Sequence, residues 1–265
     1  MTTSRNPILF TTALLAAAFA MAPSATAQKP KKIAPDKEVA EKVKVLKEVA
    51  KDKKFTRDAE GIGIIDVLMQ KNEKGLNDKD KKSIVKALDG VLNKGKVRPA
   101  NKAQIYNATA EALGRHGEPG AKALKTAYEK KRFPDKPEWV PLREKLLTNI
   151  GRTKDEDMVK FLLDEARRSP EAALQAAAGK ALGNFRESDQ KLRRDIVSGM
   201  IIKWGSLSEA ASQLGGANVE AQNARDRLAA IVGPWNETLK ALTGQDQDTF
   251  RKWQAWWNKN KNEKW

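Results

Sequence analysis

One histidine, His116, and no cysteine bound the chemistry open to this chain. Any imidazole-based triad or metal site has to use His116, and a second histidine ligand does not exist within the chain. Without a thiol there is no thiolate nucleophile, no thiolate metal site, no disulfide and no cysteine-borne lipid anchor. His116 stands between Arg115 and Gly117 at the end of a helical stretch. A cation there complements the negative end of the helix dipole and can cap free carbonyls. A structural or solvent-facing role is therefore expected for it.

Three further spacings could carry chemistry. Ser83-Ile84-Val85-Lys86 has the serine–lysine spacing of penicillin-binding enzymes, in which one helical turn sets the amine beside the hydroxyl. The Ser-Asp-Asn and Lys-Thr-Gly partners are absent, so an amphipathic helix with exposed lysines is expected instead. Gly61-Ile62-Gly63 with Asp66 is a fragment of a dinucleotide fingerprint, without its third glycine or a preceding strand. Asp155-Glu156-Asp157 supplies oxygens but not the spaced ligands and glycine of a calcium loop, and acids belong at a helix start for dipole reasons. No catalytic residue, cofactor-binding residue or metal ligand is assigned, and an enzyme is not expected.

The aromatic residues near the end are the one surface singled out. Phe250, Trp253 and Trp257 fall at i, i+3 and i+7 of a helix, with Trp256 adjoining and Arg251 and Lys252 largely on other faces. Two readings stand. The stripe closes the fold as a buried terminal helix, or it is an aromatic platform that stacks on sugar rings or on a partner's side chains. The candidate interaction surface comprises Trp253, Trp256, Trp257, Arg251 and Lys252.

These residues must be positioned by helices, because the apolar pattern has helical period almost throughout. Val39, Val43, Leu46 and Val49 mark a first helix, Ile62, Ile65, Leu68 and Met69 a second, and Ile84, Leu88, Val91 and Leu92 a third after Asn77. Gly61 and Gly63 weaken the second. From residue 101 the helices pair, with glycines at 114, 151, 183 and 233 closing Ala- or Leu-rich stretches. Thr153 and Glu156 have capping-box spacing. Ser169-Pro170-Glu171 reads as a capped helix start. A small-residue loop is expected over 205–218, with a short helix capped by Ser206 and Glu209, then helices over 220–232, 236–242 and 248–260. No alternating strand pattern is present.

Residues 1–27 read as a secretory signal: Arg5, an uncharged apolar run over 8–21, and Ala25-Thr26-Ala27 as the small-x-small cleavage site. The run of about 14 residues is short of the roughly 20 that span a bilayer. Arg5 is the only charge in that segment, so cleavage takes the net charge from +16 to +15. Residues 28–35 are a basic, Pro-bracketed flexible leader. The charge spreads evenly over the rest, favouring contact with polyanions or an acidic surface without concentrating on one segment.

Ser169 to Gly183, with its proline start, its Ala-Ala run and its closing Leu-Gly, resembles the first helix of a HEAT-like repeat. Asn107 to Gly114 is a looser copy. The tail from Leu242-Thr243-Gly244 through Trp257 is similar to the closing segment of exported bacterial HEAT-repeat proteins. The resemblance covers roughly residues 100–260. It implies an all-α, HEAT-like α-solenoid: helices over 36–100 as a degenerate repeat, then repeats over 101–265 ending in an aromatic capping helix. It also implies a non-catalytic protein-binding scaffold, periplasmic or extracellular, with no cofactor and no membrane span after cleavage. The partner would be another protein or an envelope component. The alternative from the charge is a polyanion-binding protein for an anionic envelope polymer or nucleic acid.

Overall fold

Val39, Val43, Leu46 and Val49 recur every three or four residues, and the carboxylate of Asp36 accepts from the amides of Glu38 and Val39 just before them. Cap and stripe together make α1, Lys37–Lys51. Similar stripes build α2 (Asp58–Glu73), α3 (Asp78–Asn93), α4 (Gln104–Leu113), α5 (Gly117–Glu129) and α6 (Val140–Arg152). They continue through α7 (Val159–Arg168), α8 (Ala172–Leu182), α9 (Gln190–Ser212), α10 (Val219–Thr243) and α11 (Phe250–Asn260). The computed structural model describes residues 33–130, 132–213 and 219–265, and among these there is no strand. None of the helices among the described residues is long and apolar enough to cross a membrane. The expected signal and most of the leader lie outside the described residues.

The extensive helix–helix contacts join elements one or two places apart along the chain. The helices α2, α4, α6, α8 and α10 touch in succession as one row. On the other side α1, α3 and α5 touch in succession, as do α7, α9 and α11. Tyr128 of α5 bridges these two sets: its ring meets Phe161 of α7 edge-on at 5.5 Å. The apolar core runs continuously between the rows, from Val39 to Trp253. Residues Ile33–Trp265 form one unit, and α2–α4 and α3–α5 contacts cross the position at 100 where the sequence divides.

Two glycines explain close approaches. A Cβ on Gly61 would lie 2.7 Å from Ile105 and 2.8 Å from Val49, so this helix-weakening residue lets α2 seat against α1 and α4. A Cβ on Gly179 would lie 1.9 Å from Trp235 Nε1, so α8 accepts the indole of α10 directly on its backbone. There the Trp235 ring N–H donates to Gln175 O at 3.3 Å, and the Thr238 hydroxyl donates to Gly179 O at 3.0 Å.

Those contacts account for the main departures from the sequence pattern. Residues 236–242 are not a separate helix, because α10 runs from Val219 to Thr243 with Pro234 inside it. Proline removes one amide donor and strains the turn before it. The anchoring of Trp235 and Thr238 on α8 offsets that loss. The loop expected from 205 is likewise helix as far as Ser212, since Trp204 and Leu207 of α9 are both buried. Residues 214–218 of that loop lie outside the described residues.

Two expected caps do not form. Ser169 ends α7 in place of starting α8. Helix α8 begins at Ala172 after an extended Glu171 that makes no side-chain cap. Thr153 donates its hydroxyl to Ile150 O at 2.6 Å, and Asp155 caps the short 3-10 turn Glu156–Met158 in its stead.

Candidate anion-binding cleft

Helices α3 and α5 pack side by side and, with the end of α2 and the α4–α5 turn, line an open cleft of about 700 Å³. That volume lies within the roughly 300–1,000 Å³ of small-molecule sites. Lys81, Lys82 and Lys86 enter it from α3, Arg115 from the turn and Lys122 from α5. Arg115 pairs with Glu73 and Lys122 with Glu118. Among the described residues Lys81, Lys82 and Lys86 have no carboxylate within ion-pair distance, and Lys81, Lys82 and Lys86 are exposed. Periodicity explains the crowding: positions 82 and 86 are one turn apart on α3, and 81 adjoins them.

Helix α5 contributes a second source of positive potential. It starts at Gly117 with no side-chain cap, and His116 and Pro119 of that first turn line the cleft. Uncapped amides and the helix dipole favour an anion there. His116 is half-buried, and burial, with the charge of Lys81 as a second cause, holds its imidazole below the usual histidine range. Its Nε2 and Asn72 Oδ1 are both shielded and, among the described residues, without a hydrogen-bond partner, and both residues line the cleft. Two acids also line the cleft. Asp78 is exposed with no ion pair among the described residues, and Asp89 accepts from Asn93 Nδ2 at 2.8 Å.

The sequence-derived aromatic and basic candidates lie together on α11, away from the residues that line this cleft. Trp253 is wholly buried, donating its ring N–H to Asn236 Oδ1 at 2.7 Å, and so has no surface to offer a partner. Trp256 and Trp257 are half-buried, Trp256 edge-on to Trp253 at 6.0 Å and to Trp265 at 5.5 Å. Arg251 and Lys252 are exposed, Lys252 paired with Asp248 at 2.9 Å. Ser83 is half-buried on α3, and Lys86 lines the cleft. Among the described residues no group of His, Cys, Asp and Glu could hold a metal ion, and that includes Asp155-Glu156-Asp157.

The arginines do work that sequence patterns do not reveal. Arg98 donates to Val49 O near the end of α1, and Arg132 to Lys94 O and Gly95 O after α3. Arg143 reaches Tyr128 O in the last turn of α5 and Phe133 O after it, and Arg227 reaches Ser169 O and Pro170 O after α7. Arg193 reaches Leu242 O in α10. Carbonyls at helix ends lack intrahelical donors, and a planar guanidinium satisfies two at once. Among the described residues the lysines donate to carboxylates and not to these carbonyls. The arginines thus include a set of clamps on helix-end carbonyls that the lysines lack, while Arg115, Arg152, Arg167, Arg168, Arg186, Arg225 and Arg251 are exposed like Lys81, Lys82 and Lys86.

Arg143 also lies 4.0 Å over the Tyr128 ring and pairs with Asp135 at 2.8 Å. Tyr128 donates its hydroxyl to Glu165 at 2.5 Å. Burial, and then the neighbouring Glu165, push the phenol up, and burial raises the Glu165 carboxyl. This cluster ties α5, α6 and α7 together.

No family model, no curated protein and no solved structure matches this chain.

Proposed function

We propose that this chain is a non-catalytic binding scaffold that acts outside the cytoplasm and holds an anionic polymer in the α3/α5 cleft. The observation that carries the reading is the convergence of five cationic side chains on one cleft, three of them lysines without carboxylate partners among the described residues. A chain of anionic groups supplies the missing counter-charges and meets the uncapped α5 N-terminus. The export assignment rests on the signal pattern of residues 1–27. The scaffold is read as an α-solenoid: contacts reaching one or two helices along the chain are those of a stack in which each repeat touches its neighbours.

A salt titration tests this reading. Affinity of the mature chain for linear polyphosphate should fall steeply as salt rises. The triple variant Lys81→Ala, Lys82→Ala, Lys86→Ala should lower the log–log slope by about two, at roughly 0.7 per contact on a single strand. A slope near zero, or one unchanged by the triple variant, would remove the cleft from the account.

A further inference from the structure

We propose that the ligand of the α3/α5 cleft is an acidic polysaccharide, a chain whose sugar units carry both carboxylate groups and free hydroxyls; this rests on the anionic-polymer reading above. The argument is the company the lysines keep. Lys81 and Lys82 share the cleft with Asp78, and Lys86 with Asp89. A site serving phosphate groups alone gains nothing from carboxylates, which repel the ligand. Hydroxyl groups donate to carboxylates, and hydrogen bonds to a charged acceptor are about twice as strong as neutral ones. A ligand offering anions to the ammonium groups and hydroxyls to Asp78 satisfies both signs at once.

The rest of the lining argues against a single-stranded nucleic acid. Proteins that hold single-stranded nucleic acid stack bases on aromatic rings. Among the described residues no Phe, Tyr or Trp lines this cleft. Its apolar side chains include Val85, Pro119 and Ala123, none of which offers a stacking face. Thr126 adds a hydroxyl that can both donate and accept.

The two kinds of anion respond oppositely to loss of an acid, which makes the proposal testable on one variant. Affinities of the full mature chain for polygalacturonate, linear polyphosphate and single-stranded DNA are compared at fixed salt. Asp78→Ala should weaken polygalacturonate binding about tenfold, the loss of one charge-assisted hydrogen bond. The same change should strengthen binding of polyphosphate and DNA severalfold by removing a repulsive charge. Asp89→Ala is the second variant, should Asp78→Ala disturb the first turn of α3, and its expected response has the same signs. Strengthening on all three polymers overturns the saccharide assignment and leaves the anion-binding scaffold intact. Weakening on DNA as large as on polygalacturonate overturns it in favour of a nucleic acid. Failure of the wild-type chain to bind any of the three overturns the scaffold reading beneath it.

Discussion

Arg98 grips Asp58 with two parallel bonds, Nε at 2.7 Å and Nη2 at 2.6 Å from the two carboxylate oxygens. The arginine side chain is fully shielded from water, flanked by Phe55 at 5.1 Å and Tyr106 at 5.5 Å. The third bond, to Val49 O, ties the loop before α4 to both α1 and α2. Removing one partner of a buried pair strands the other charge and costs about 3–5 kcal/mol. Arg98→Ala should therefore lower unfolding free energy by that order in urea denaturation. A loss below about 1 kcal/mol would show that Asp58, which keeps some exposure, simply rehydrates.

Gly179→Ala tests the α8–α10 contact. The added methyl meets the Trp235 indole at less than any real contact distance, so one helix has to shift. Overpacking costs about 1–3 kcal/mol, against a gain of up to about 1 kcal/mol in helix propensity. The expected outcome is a clear drop in melting temperature with a changed Trp fluorescence spectrum. A stabilised variant would mean that α10 sits farther from α8 than the structure places it.

Trp253 offers a third measurement. Its full burial and the bond to Asn236 predict a loss of about 3–5 kcal/mol for Trp253→Ala, because a cavity remains. Lys252→Ala, on the exposed side with only a surface ion pair, should shift stability by less than about 1 kcal/mol. Equal effects of the two changes would contradict this placement of α11.

How far such features were legible follows from their range. The α1 and α3 stripes and the helical class are local patterns, and a period of three to four residues displays them directly. Gly179 and Trp235 are far apart in sequence, and nothing in either segment announces that one seats on the other. The continuous α10 was hidden for that reason: Pro234 is a local stop signal, while the anchors on α8 that overcome it are distant. The cleft was half legible. The Lys81-Lys82 pair and Lys86 are a visible run on α3, but Lys122 and His116 join it only through the packing of α5. The arginine forks left no signal, since an arginine that caps a carbonyl reads like any surface cation.

Glu165 gives a pH-dependent test. Its carboxyl is raised above the usual value mainly by burial, so the folded state holds the proton more tightly than the unfolded chain does. The resulting stabilisation is present below about pH 4.5 and fades as pH rises through the folded value. Glu165→Gln keeps an acceptor for the Tyr128 hydroxyl without the charge. It should raise the melting temperature at neutral pH and lose that advantage near pH 4. An advantage that grows on acidification would reverse the sign of this account.

His116 can be followed by itself, since its ring gives the single histidine signal. Burial and then Lys81 hold its titration below the reference value, and Arg115, Lys82, Lys122, Asp78 and Glu118 surround or flank it on the turn, α3 and α5. The proton magnetic resonance midpoint should lie below about 6.5 and rise when a polyanion fills the cleft. The stability linked to the neutral ring is complete above about pH 6.5 and declines as pH falls through that value. A midpoint unmoved by ligand would place the ligand elsewhere.

The division of labour among the cations has a chemical corollary. Lysine amines can be acylated, and guanidinium groups are far less reactive toward the same reagents. Because the carbonyl ends of α1, α3, α5 and α7 are held by arginines, acylation removes the lysine charge while leaving those clamps untouched. The chain can in this sense lose its basic character without being taken apart, and whatever it does through a positive surface potential can be switched off separately from its architecture.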